Sequence, residues 1–254
     1  MFKRIIERTA DRYRILQSGI VEFVIGKDRR RFQIHAALAG SFPKEILQPS
    51  LNHEIDEVVF GRCCDFVYSG SYTVPEPISS PSGSNGDQLS NSKAIPQRSV
   101  GRWNPVNLTK NAFHPKKLPN IYDLILEQLD QKIVYDDLEV PNKDPAVSYA
   151  DVFLSHAQVY RLGHRTDWVS LCALSLYRLT RSLARFTLFE ERTGDIVGLL
   201  RFVFEESEDM KNMQDILLDY AAWNIEILMC DADFPQLLER VPSLEKAIFR
   251  SMWR

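Results

Sequence analysis

A chain of 254 residues that is 44% hydrophobic and 26% charged has ordinary globular composition, with enough apolar material for one large domain or two small ones. Its net charge of -3 excludes any global attraction for phosphate backbones or anionic membranes, which takes a concentrated basic face. Nowhere do about 18 consecutive apolar residues occur, the length a membrane-spanning helix needs, so neither nucleic acid nor membrane is expected as a partner. Glu7, Arg8, Asp11 and Arg12 interrupt the apolar stretch that a secretory signal would require. The chain reads as intracellular, in cytoplasm or nucleus.

Residues 1 to 18 place Phe2, Ile5, Ile6 and Leu16 loosely at helical spacing, and Gly19 would stop that helix. From Ile20 the pattern changes to alternation, with Val21, Phe23 and Ile25 set against Glu22. After the polar turn Lys27-Asp28-Arg29-Arg30, a second extended run ends at His35, so a β-hairpin is predicted. Between Asp56 and Tyr68, Val59, Phe60, Cys63, Cys64 and Val67 share one helical face, and Ser69-Gly70 closes the element.

Residues 76 to 117 then turn to proline, serine, asparagine and glycine. Such a segment buries too little apolar surface to offset its ordering entropy and is predicted to be a disordered insert. Trp103 is the one residue within it that a partner could capture.

From 118 onward amphipathic helices dominate. Ile121, Leu124, Ile125 and Leu129 form one face; Phe153, His156, Ala157 and Tyr160 form another; Trp168, Leu171, Cys172, Ser175 and Leu179 a third. Ile196, Leu199, Leu200 and Val203 repeat the spacing, as do Met213, Ile216, Leu217, Tyr220, Ala221, Asn224 and Leu228. Two short helices flank Pro242, with Asp233 and Ser243 as expected N-caps. Each apolar face must be covered by another, which makes a packed helical region.

Three segments together carry a family resemblance. Residues 22 to 41 (EFVIGKDRRRFQIHAALAGS) resemble the opening of a BTB/POZ domain of fungal type, and residues 63 to 77 (CCDFVYSGSYTVPEP) resemble the family's later helix with its aromatic ending. Residues 151 to 168 (DVFLSHAQVYRLGHRTDW) are similar to the segment that resumes the fold, and residues 187 to 205 resemble the family's extra helices. The sequence departs from the family between Ser41 and Asp56, where about fourteen residues stand in place of a second helix and a third strand. In the resuming helix, Gly163, His164 and Thr166 replace an Ala-Asp-x-aromatic pattern.

The resemblance implies an α+β, mostly helical fold. A BTB/POZ-like core of 19 to 75 would be completed by helices in 118 to 185 and followed by a helical extension, 186 to 254. It also implies a non-enzymatic protein-interaction module, pairing with itself as a homodimer or docking another protein; the alternative is a substrate adaptor for a cullin-type ubiquitin ligase. The interface residues it implies are Val21, Phe23, Val67, Tyr68 and Tyr72.

The remaining candidates for chemistry have blander explanations. Arg29, Arg30 and Arg31 sit at a turn beside Asp28 and read as a solvated face. His35, His156 and His164 have no acid or nucleophile in sequence reach and read as structural, the first two beside helix starts. Cys63, Cys64, Cys172 and Cys230 lack the spaced pairs of a zinc site and read as reduced core residues in helices. Asp136-Asp137-Glu139 and Glu190-Glu191 read as a solvated loop and a helix N-terminus rather than a cation site. No phosphate loop, dinucleotide fingerprint, H-E-x-x-H or G-x-S-x-G occurs, and no catalytic residue, metal or cofactor is expected.

Overall fold

A computed structural model describes residues 13–48, 53–79, 142, 144–206 and 210–252. Within them the chain is mostly helical, with two small antiparallel sheets of two strands each. Most of the predicted insert with Trp103, the helical face at Ile121 to Leu129 and the Asp136-Asp137-Glu139 run lie outside the described residues, as does the start of the N-terminal helix. The chain divides into two units, one of residues 1–73, 125–134 and 158–174, the other of 74–124, 135–157 and 175–254.

In the first unit Gln17 N donates to Tyr13 O and Ser18 N to Ile15 O, closing a helical turn that Gly19 ends at φ 66°. Strands β1 (Ile20–Ile25) and β2 (Arg30–His35) then pair antiparallel, with Val21 opposite Ile34, Phe23 opposite Phe32 and Ile25 opposite Arg30. The alternation read from the sequence sends Phe23, Ile25 and Ile34 into the core. Gly26 takes φ 77° to start the turn and lies against the Glu57 side chain, so a larger residue there would meet both strain and a clash.

A single short helical turn, α1 (Ala36–Ala39), follows the hairpin. Helix α2 (Glu57–Ser69) matches the predicted element closely. Asp56 caps it by accepting from Val58 N at 2.9 Å and Val59 N at 3.0 Å. Gly70, at φ 78°, ends it by donating to Phe66 O at 2.7 Å. Its buried face presents Val59, Phe60, Cys63 and Phe66.

The segment after Ser41 forms no strand among the described residues. It makes turns in which Ile46 N donates to Pro43 O and Leu47 N to Lys44 O, and it buries Phe42, Ile46 and Ile55. Phe42 completes an aromatic cluster, with ring centroids 5.4 Å from Phe23, 5.7 Å from Phe60 and 5.4 Å from Trp168. Trp168 also meets Phe66 edge-on at 5.5 Å.

Helices α3 (Ala150–Arg165) and α4 (Val169–Arg185) run through the division between the units. In the first unit the tight turn between them depends on Gly163, where a Cβ would stand 2.9 Å from Cys172 Sγ. Arg165 closes the end of α3 on Glu54 at 2.9 Å.

In the second unit β3 (Ile78–Ser79) pairs with β4 (Val147–Ser148). Ile78 and Ser79, read from the sequence as the start of the insert, are therefore ordered by a strand partner far along the chain. Asp195, buried in the first turn of α5 (Thr193–Phe204), accepts from Tyr149 N at 2.7 Å and Ser148 Oγ at 3.0 Å, fixing the start of α3. Asn142 exchanges hydrogen bonds with the backbone of Thr187. Tyr149, Phe153 and Phe186 pack as a ring trio, with Phe153 and Phe186 edge-on at 5.1 Å.

The helical extension contains α6 (Lys211–Trp223), α7 (Ile225–Leu228), α8 (Asp233–Arg240) and α9 (Pro242–Met252), with α5, α6, α8 and α9 packed against one another. Ile196, Leu199, Leu200, Leu217, Phe234, Leu237 and Leu244 are buried as their spacing predicts. Three expectations are corrected. The face from Met213 to Leu228 is broken at Asn224, whose side chain donates to Tyr220 O at 2.9 Å. Asp233 lies inside α8, and Asp231 Oδ1 receives its N–H. Ser243 lies inside α9, which begins at Pro242, a residue suited to the first helical position because its missing N–H would have no partner there.

Candidate protein interface

The hairpin and the end of α2 bring the candidate interface residues together in the first unit, but not all of them face outward. Phe23 is 5% exposed and Tyr72 3%, so both are core and unavailable to a partner in this conformation. Val67 is partly buried. Val21, at 36%, and Tyr68, at 49%, are exposed. The five were grouped by the resemblance, whereas periodicity alone favours core over interface for each of them, as it proves for Phe23 and Tyr72.

Tyr68 is held by His35. Its Oη accepts the backbone N–H of His35 at 3.1 Å and lies 2.8 Å from His35 Nδ1, with the two rings edge-on. Across the hairpin His35 stands opposite Ile20, which is 56% exposed. Ile20, His35 and Tyr68 thus form one connected surface, and Tyr13 and Leu16, before β1, are exposed as well. Ile20, Tyr13 and Leu16 were not among the expected interface residues. The signal was present for Ile20, which is out of phase with Val21, Phe23 and Ile25 and so must point to the opposite face.

The turn behind Tyr68 is rigidly tied. Ser69 Oγ donates to Asp65 O at 2.7 Å, and Thr73 Oγ1 donates to Asp65 Oδ2 at 2.9 Å. These bonds fix the chain between exposed Tyr68 and buried Tyr72, so Tyr68 is presented from an ordered support.

Charge concentrates at the far end of the hairpin. Arg30 lies 3.6 Å from Glu57 and Arg31 3.4 Å from Glu22, both pairs having a solvent-exposed arginine, while Lys27 and Arg29 are exposed. On α2, burial lowers the pKa of the Arg62 guanidinium, opposed by the charges of Tyr72, Asp56 and Asp65.

The histidines and cysteines are placed differently from one another. His35 precedes α1 as expected, but His156 is fully buried in the middle of α3 rather than beside its start, and His164 is exposed near its end against Tyr160. Burial raises the Cys63 thiol and pushes Cys64 and Cys172 up to about 12. Cys230 departs from expectation, lying exposed in the turn after α7. Glu190 and Glu191 sit in a 3-10 turn just ahead of α5. Among the described residues no group of three or more His, Cys, Asp or Glu is placed to hold a metal ion, and no helix is long and apolar enough to cross a membrane.

No family model, curated protein or solved structure matches the chain.

Proposed function

We propose that the chain is a non-enzymatic protein-interaction module of BTB/POZ type, binding a partner protein or a second copy through the hairpin and the adjoining end of α2. The observation that supports this reading is the connected surface of Ile20, His35 and Tyr68, in which large apolar and aromatic groups stand exposed on hydrogen-bonded supports. Preorganised aromatic groups beside apolar ones are what protein interfaces concentrate, because they bury much area while losing little conformational freedom.

The test is size exclusion with light scattering over a dilution series, run beside affinity capture from native extract. The reading expects either a concentration-dependent mass or a specifically captured protein, with Ile20→Lys weakening the association at least tenfold. A folded monomer that captures nothing, or an Ile20→Lys variant that associates as the parent does, overturns it. Co-purification with a cullin is the outcome the adaptor reading requires.

A further inference from the structure

The hydrogen-bond register of the hairpin determines which of its backbone groups point away from the pair. Ala36 N donates to Gly19 O at 3.0 Å, so residues 19 and 36 form a hydrogen-bonded pair. Such pairs alternate along an antiparallel ladder. Val21 with Ile34, Phe23 with Phe32 and Ile25 with Arg30 are therefore bonded inward, while Ile20, Glu22 and Val24 on β1, and Arg31, Gln33 and His35 on β2, direct their N–H and C=O groups outward.

The two edges differ at one end and in charge. On β2 the phenol of Tyr68 takes the outward N–H of His35, and Arg30 and Arg31 put charge along the rest of the strand. On β1 no group among the described residues takes those of Ile20, Glu22 or Val24, although Ile20 and Glu22 are exposed. Natural proteins blunt exposed strand edges by proline, bulge, charge or cover. The six residues of β1 contain no proline and a single charge, Glu22.

We propose that the outer edge of β1 accepts an extended segment of another protein as an added strand. The inference rests on the interaction reading above and names its place and mode: main-chain bonds to Ile20, Glu22 and Val24 supply affinity, and side chains on the outer face supply selectivity. The segment carries apolar residues beside Ile20 and Val24, a basic or neutral residue beside Glu22, and acidic residues beyond Val24, where Lys27, Arg29 and Arg30 outnumber Asp28 and Glu57, the latter 3.6 Å from Arg30. A second copy fits less well. Antiparallel pairing about a two-fold axis that engages all three outward residues sets Glu22 opposite Glu22, and like charges directly opposite are destabilising.

The experiment uses the full chain and two fluorescein-labelled peptides, Asp-Asp-Val-Thr-Lys-Thr-Val and Val-Thr-Lys-Thr-Val-Asp-Asp, which offer the acidic end in the antiparallel and parallel senses. Fluorescence anisotropy is expected to show one of them binding at least tenfold tighter than its counterpart with Lys-Lys in place of Asp-Asp. Val24→Pro removes an outward N–H without touching the β1–β2 ladder, a position where edge strands accept proline, and is expected to lose at least tenfold in affinity with an unchanged melting curve. Should Val24→Pro fail to fold, the double variant Lys27→Glu, Arg29→Glu takes its place and is expected to reverse the preference for the acidic end. Equal binding of the lysine-ended peptides overturns the chemistry assigned to the segment. Loss of a dimer, rather than of peptide, in Val24→Pro gives the edge to a second copy and overturns the proposal. Absence of peptide binding in a chain that still associates through Ile20 overturns the strand-addition proposal alone, whereas loss of both overturns the interaction reading with it.

Discussion

The phenol of Tyr68 caps the last outward N–H of β2, that of His35, while standing 2.8 Å from the Nδ1 of the same residue. One side-chain oxygen thereby ties the end of α2 to the end of the hairpin. Tyr68→Phe keeps the ring and removes the oxygen, leaving that N–H to solvent. The expected cost is about 1 kcal/mol, the net value of a partly exposed hydrogen bond, read as a lowered urea midpoint with unchanged slope. A cost near zero would mean that water replaces the phenol without loss.

Gly163 makes room for Cys172. A Cβ at 163 would lie 2.9 Å from Cys172 Sγ and 3.4 Å from the backbone nitrogen of Cys172. Gly163→Ala is expected to destabilise by about 1–3 kcal/mol, the usual cost of overpacking. Adding Cys172→Ala should recover part of that loss, because the nearest clashing atom is then gone. Strict additivity of the two substitutions in chemical denaturation would show that the backbone, not the sulfur, sets the limit.

The thiols make a pH prediction with a definite sign. Cys64 and Cys172 have folded pKa values raised from an ordinary 9.0 to about 12 by burial. The unfolded chain thus releases these protons first, so their stabilising contribution is complete below about pH 8.5 and is lost as pH rises toward 12. Denaturation midpoints should fall between pH 8 and pH 10, and less steeply in Cys64→Ser. A thiol reagent at pH 8 should label Cys230 first and reach Cys63 and Cys172 only on unfolding, since Cys230 is exposed and the other two are buried.

The pairing of β3 with β4 closes the base of the long excursion that leaves at Ser79 and returns at Val147. Deleting residues 81 to 117 roughly halves that excursion, and a shorter loop costs less entropy to close. Stability should be unchanged or rise by about 0.6 kcal/mol, the closure term for a twofold change in length. A loss above about 2 kcal/mol, the size of a large packing effect, measured by thermal and urea unfolding, would show that the deleted residues contribute to a core.

Local physics makes much of this chain legible in its sequence. Alternation at Val21, Phe23 and Ile25 defined the hairpin, and the spacing of Val59, Phe60 and Cys63 with the Ser69-Gly70 stop defined α2 almost to the residue, because periodic burial and helix stops act within a few residues of themselves. The buried faces of α3 to α6 followed from the same spacing. Sequence could not separate Phe23 and Tyr72, which are core, from Val21 and Tyr68, which are exposed: solvent exposure depends on what other elements cover, and that is a long-range fact. The strand at Ile78–Ser79, and the absence of a partner for the outer edge of β1 among the described residues, were likewise decided by tertiary structure, because strand pairing joins residues distant in sequence.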